Sequence, residues 1–218
     1  MTPARRPAAK KASPRARVQP EEQRSEAFSQ RRQAMLEVAA ELFAEQGFRS
    51  TTVRQIGTAA GVLSGSLYHH FESKEAIADD ILSSYFDGLL TTYKEIIAEN
   101  DNPGTTLREL IRAAFASLGP HRAAITVLQN EGEYLRQFPR FAYLTKMEND
   151  IRRMWVKVLE EGVELDLFRD DLDPRITYRF IRDSIWVVVR WFAPSGRLSS
   201  DQLAEEYIKL TMGGLEKS

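Results

Sequence analysis

Seven residues in the first part of the chain, Thr52, Ser64, Gly65, Ser66, Tyr68, His69 and Lys74, have types and spacing suited to holding nucleic acid. Hydroxyl and imidazole groups donate to phosphates or reach base edges in a groove. Lys74, following Ser73 at the start of a long helical segment, is placed to hold a phosphate by charge and by exposed backbone N–H groups. A second group lies far downstream. Arg182, Trp186 and Arg190 recur every four residues, so a helix through them carries one stripe of two guanidinium groups flanking an indole. Arginine forms bidentate bonds to carboxylate or phosphate. A cavity with apolar walls and a few cations suits an amphipathic anion. The same arginines could instead pair with Asp183 of a second subunit, with Glu131 or Glu133, or with Asp150.

Catalysis finds little support. The only histidines are His69, His70 and His121, and there is no cysteine. His69 and His70 are adjacent and face different sides of a helix, so they form no metal pair. The expectation is therefore no catalytic residue, no metal site and no bound cofactor. A helical enzyme acting on acyl-CoA would reveal itself by steady turnover.

The first group needs two short crossing helices to present it. Thr52 and Gln55 have capping-box spacing, which starts a helix at Thr52. Val53, Ile56 and Ala60 form its inner face, and Gly61 allows the tight turn that follows. A second helix is expected over 64–70. Leu67 and Phe71 pack back onto the first, leaving Ser64, Ser66, Tyr68 and His69 outward at its N-terminal half. Such a helix can lie in the major groove. Leu63 offers no capping side chain, so Ser64 is expected to cap one residue later.

The rest of the chain reads as helix. Met35, Val38, Ala39, Leu42 and Phe43 give one buried face over 29–46, closed by Gly47. Ile77, Ile81, Tyr85, Leu89 and Tyr93 repeat every four residues along a segment from 74 to about 100. Further helices are expected over 105–118, 121–137, 139–165, 174–192 and 200–212, with Gly213 and Gly214 closing the last. Asp173 and Pro174 make a cap followed by a first-turn proline. In the 174–192 helix, Ile181, Ile185, Val188 and Phe192 form one apolar stripe and Phe180, Val187 and Trp191 another. One domain supplies one inner side, so a partner subunit is a reasonable source of the other. No segment alternates as a strand does, and the fold class is all-α.

The net charge is −1, but residues 1–20 carry six cations (Arg5, Arg6, Lys10, Lys11, Arg15, Arg17) and no acid. This arm either touches nucleic acid or serves as a solubilising tail. Pro3, Pro7, Pro14 and Pro20 argue against helix there. With 43% apolar and 28% charged residues, most of the chain reads as soluble and globular. No run approaches a membrane span and no secretion signal stands out, so a cytoplasmic location is expected. The organisation expected is a basic arm over 1–28, a helix-turn-helix domain over 29–74, and a ligand-binding and dimerisation domain over 75–218.

The segment 52–75 resembles the hallmark of the TetR family of repressors. Thr52, Ile56, Ala60, Gly61, Val62, Gly65, Leu67, Tyr68, His70, Phe71, Lys74 and Glu75 all match it. Gly57 departs from the usual Ala, Leu63 from the usual Ser or Thr, and Ser64 from a common Lys. The resemblance implies a nine-helix homodimer paired through its last two helices, a double-stranded pseudo-palindromic operator and a small-molecule effector. Pro139-Arg140-Phe141, Arg153-Met154-Trp155-Val156 and Tyr178-Arg179-Phe180-Ile181-Arg182-Asp183 are also similar to an actinobacterial branch of the family that controls degradation of the C and D rings of cholesterol. That likeness implies a coenzyme A thioester of a steroid-ring propanoate as effector, with Arg182, Trp186 and Arg190 lining its cleft.

Overall fold

The structure, a computed structural model, describes residues 21–192 and 196–217. Among them are nine α-helices and no strand. The six cations read as a basic arm lie outside the described residues.

The head is built from α1 (Glu21–Gln46), α2 (Val53–Ala59) and α3 (Ser64–Leu67). Helix α1 starts at Glu21, eight residues before the expected opening at Ser29. The last of the four prolines is Pro20, and nothing in Glu21–Phe28 breaks a helix. Met35, Leu36, Ala39 and Phe43 bury the inner face of α1 against Ile56, Leu67 and Phe71. Gly47 ends α1 at φ +85°, and Gly61 turns between α2 and α3 at φ +68°. Both are left-handed conformations that a side chain disfavours.

Helix α3 is shorter than the expected 64–70. Its N-cap is Leu63, with no side-chain bond, so Ser64 is the first helical residue and not the cap. Beyond Leu67 the chain tightens. His69 N donates to Ser66 O at 3.2 Å and His70 N to Leu67 O at 2.9 Å, three-residue spacings that end a regular helix.

Helix α4 (Lys74–Glu99), capped by Ser73, bridges head and body. The body continues with α5 (Pro103–Leu118), α6 (Arg122–Leu135), a 3₁₀ turn (Pro139–Phe141), α7 (Tyr143–Glu164), α8 (Pro174–Val188) and α9 (Ser200–Leu215). Helix α5 is central, burying Leu107, Leu110, Ile111, Ala114, Phe115 and Leu118. The expected single helix over 139–165 is divided at Ala142, because Pro139 opens a 3₁₀ turn instead of an α-helix. Helix α8 stops at Val188, four residues early. From there Val189 N, Arg190 N and Trp191 N bond three residues back, to Trp186, Val187 and Val188. Gly213 and Gly214 lie inside α9 instead of ending it. The end is set beyond them, where Arg169 N donates to Leu215 O and Lys217 N to Leu167 O.

Helix α8 and the turn that follows it carry two apolar sets. Ile181, Ile185, Val188 and Phe192 are buried, whereas Phe180 is 70% and Trp191 60% exposed.

The turn at Gly61 can be tested alone, since an added Cβ there would meet no atom within 4 Å. Gly61→Ala is expected to cost about 1–2 kcal/mol through backbone strain only. Urea unfolding would measure it, and an unchanged midpoint would contradict the left-handed turn.

Candidate DNA-reading surface and ligand cavity

The two short helices of the head leave a polar edge uncovered. Tyr68 is 59% exposed and Leu63 84%. Gly65 and His69 are also exposed, and Ser66 is half-buried. Ser64 opens α3. Thr52 has a local duty: its hydroxyl accepts from Gln55 N at 3.2 Å, and Gln55 Oε1 accepts from Thr52 N at 2.8 Å. This capping box fixes the start of α2. His70 turns inward, its ring stacked 4.3 Å from Phe28 on the early part of α1.

Lys74 differs from the phosphate-holding role expected of it. Its Nζ donates to the carbonyls of Phe48 (2.7 Å), Thr51 (2.9 Å) and Arg49 (3.4 Å). The ammonium also lies 4.4 Å from the centre of the Phe48 ring. Its donors are directed at the loop between α1 and α2. Burial pulls its pKa below the ordinary lysine value, and the carboxylates of Glu75 and Glu131 oppose that shift.

In the body, α4, α5, α6, α7 and α8 line a cavity of about 220 Å³. Tyr85, Phe86, Leu89 and Tyr93 form its α4 wall, Trp155 its α7 wall, and Tyr178, Ile181, Arg182, Ile185 and Trp186 its α8 wall. The Arg182 guanidinium stands 5.9 Å from the ring centres of both Tyr178 and Trp186. It pairs with Asp183 at 2.7 Å within the same chain. Trp186 is pinned through its carbonyl, which accepts from Gln129 Nε2 at 2.8 Å. Burial pushes the Tyr178 phenol up to about 12 and raises Tyr85 and Tyr93 as well, so all three are neutral donors. The Trp155 indole N–H is buried with no hydrogen-bond acceptor among the described residues, and its ring meets Tyr93 edge-on at 5.6 Å.

Arg182 and Trp186 thus share the cavity wall, but Arg190 does not line it. Because α8 ends at Val188, the four-residue spacing no longer holds Arg190 on the same stripe, and it is exposed. The acids considered as its partners are engaged elsewhere: Glu131 with Arg49, Glu133 with Arg136, Asp150 with Arg153.

Two features escaped the sequence. Arg136, from the end of α6, lines the cavity and is braced by Glu148 at 2.6 Å. Beside the cavity, a cleft of about 750 Å³ runs between α7 and α8. It is lined by Arg152, Arg153, Lys157, Arg175, Arg179 and Arg182 against one acid, Glu160, and it shares Tyr178 and Arg182 with the cavity. These cations lie on two helices, so their convergence shows only after folding. His121, the remaining histidine, sits at the N-cap of α6 beside Tyr85, and burial lowers its pKa. No helix among the described residues is long and apolar enough to cross a membrane.

Comparison with known proteins places both regions. Residues 35–81 match the family described as bacterial regulatory proteins, tetR family. Residues 100–215 match the tetracyclin repressor-like C-terminal domain. The chain is 44% identical over 187 residues to the HTH-type transcriptional repressor KstR2 of Mycobacterium tuberculosis, covering 86% of this chain and 94% of that one. It is 42% identical to KstR2 of Rhodococcus jostii, covering 86% and 92%. The solved structure of the M. tuberculosis ketosteroid regulator KstR2 superposes with a TM-score of 0.84 over 86% of this chain and 96% of that one. AibR, solved with isovaleryl coenzyme A and operator DNA, shares the fold at a TM-score of 0.73 and 22% identity, over 83% of this chain and 97% of that one.

The employment of Lys74 gives a prediction. Lys74→Met is expected to lower stability by about 1.5–3 kcal/mol, the worth of hydrogen bonds from a charged group. The slope of log affinity for DNA against log salt is expected to stay at its wild-type value. A slope reduced by about one would instead mark a lost phosphate contact.

Proposed function

The chain belongs to the tetR family of bacterial regulatory proteins, and on that premise we propose that it is a dimeric transcriptional repressor, released from DNA by the coenzyme A thioester of a steroid-degradation intermediate. The observation that carries the effector class is the junction of two unlike spaces at Tyr178 and Arg182. One is walled mainly by aromatic and aliphatic side chains, with the Arg136–Glu148 ion pair at one place, and the other mainly by cations. A CoA thioester has the matching halves, an apolar acyl body and a polyphosphate end. The phosphates face the α7–α8 cleft and the acyl group fills the cavity, with Arg182 between them. The steroid nature of the acyl group draws on the likeness to a ketosteroid regulator. AibR, the fold relative solved with isovaleryl coenzyme A and operator DNA, supports the wider class.

On the DNA side, Thr52, Ser64, Gly65, Ser66, Tyr68 and His69 make the reading surface. A two-fold dimer presents it twice, which calls for a pseudo-palindromic operator with half-sites about 34–36 Å apart or a multiple. The exposed Phe180, Val187 and Trp191 of the α8 region, with Leu210 of α9, supply the apolar face for the second subunit. Ligand that favours a different spacing of the heads releases the duplex. A swing from mostly bound to mostly free takes roughly a 10⁴-fold preference between states. Operator and CoA thioesters meet in the cytoplasm, where the protein acts.

Thermal-shift measurements against free CoA, isovaleryl-CoA, octanoyl-CoA and a steroid-ring propanoyl-CoA test the effector. At a hundredfold excess over Kd the last is expected to raise Tm by about 5–10 °C. Arg182→Gln is expected to weaken its binding by about tenfold or more, the loss of one charge-assisted contact. No shift with any thioester, or steady hydrolysis of one, would overturn the effector reading. Sedimentation tests the dimer: Phe180→Glu combined with Trp191→Glu is expected to give monomers that no longer bind the operator specifically. A double variant that stays dimeric would place the interface elsewhere.

A further inference from the structure

We propose that Glu131 is the positioning residue that sets the DNA-reading head at its working angle to the body, through an ionic knot with Arg49 of the head loop. The proposal rests on the reading that the α2–α3 head binds DNA.

Three polar or charged side chains are buried among the described residues: Thr51, Thr106 and Glu131. Two of these lie at one place, the junction of α6 with the loop joining α1 to α2. Glu131 Oε2 lies 3.3 Å from Arg49 Nε. Its other oxygen reaches so close to Gly47 that a Cβ there would stand 2.9 Å away. Lys74, at the start of α4, draws the carbonyls of Phe48, Arg49 and Thr51 onto its ammonium. Thr51 Oγ1 donates to Gly47 O at 2.9 Å, folding the loop onto itself. One carboxylate on the body therefore pairs with a cation of the head loop, the same loop whose carbonyls Lys74 of the bridging helix holds.

Stability alone does not explain a carboxylate here. Burying a charge is costly, and apolar packing of similar volume commonly does as well or better. What a charge adds is direction, because its energy depends on where its partners stand. Glu131 also sits on a helix that reaches the cavity at other positions. Two residues earlier, Gln129 holds the Trp186 carbonyl, and five residues later Arg136 lines the wall. A displacement of α6 at the cavity is carried to the head loop through the knot.

Full-length Glu131→Gln, Arg49→Gln and the double variant test this against two duplexes. One is selected by the wild-type protein from a random-sequence pool, and the other is an unselected duplex of equal length. Glu131→Gln is expected to weaken binding to the selected duplex by about tenfold or more, a coupling-sized effect. Its affinity for the unselected duplex, which one head can hold, is expected to stay at the wild-type value, as is the salt slope on the selected one. Arg49→Gln is expected to do the same, and the double variant to be no worse than either single. Wild-type affinity of Glu131→Gln for the selected duplex overturns the proposal. So does an additive double variant whose salt slope falls by about one, which would make Arg49 a phosphate contact. If Glu131→Gln fails to fold, Arg49→Gln, altered at a side chain that is 65% exposed, decides by the same readouts. A wild-type protein that selects no duplex would overturn the DNA-binding reading and not the knot alone.

Discussion

The structure depends on one helix that runs through a single hydrophobic core joining head and body. At its start α4 buries Ile77 in the cluster that also holds Phe71, Leu67 and Phe43 of the head. Further along it buries Leu82, Phe86, Leu90 and Tyr93 in the body. An α-helix is stiff over this length, about 39 Å at 1.5 Å per residue. Neither head nor body can shift along it without unpacking apolar side chains. Tyr85, Leu89 and Tyr93 of this same helix stand in the cavity wall.

Ion pairs tie the same joint from other sides. Arg140, in the turn before α7, pairs with Glu72 at the head and with Asp79 on α4. Arg32 on α1 pairs with Asp80 on α4. These groups are partly exposed, so each contributes little to stability by itself. Glu131 is different because it is buried, and its worth is directional. A DNA reader needs that distinction. The head must be held at an angle, and a few directed contacts can hold one.

Much of the architecture was legible because helices advertise themselves through spacing. The four-residue repeat from Ile77 to Tyr93 and the caps at Thr52 and Asp173 marked elements that the structure contains. Boundaries were harder where hydrogen bonding changes pitch without a change in apolar pattern. The end of α8 at Val188 is such a case, and it removes Arg190 from the stripe that Arg182 and Trp186 share. The same holds at the end of α3 near Leu67. Gly213 and Gly214 misled for the opposite reason: tertiary bonds from the 165–169 segment carry the last helix through them. The motif tells where Lys74 stands but not that a loop 23–26 residues earlier turns its carbonyls toward it. The cationic cleft needed two helices to be brought side by side.

Hydroxyl-radical footprinting on the selected duplex tests the central claim most directly. The account predicts two protected patches on one face of the duplex, about 34–36 Å or a multiple apart, and the loss of both together when a steroid-ring propanoyl-CoA is added. No protection even at low salt, or patches that persist unchanged with the thioester, would contradict it.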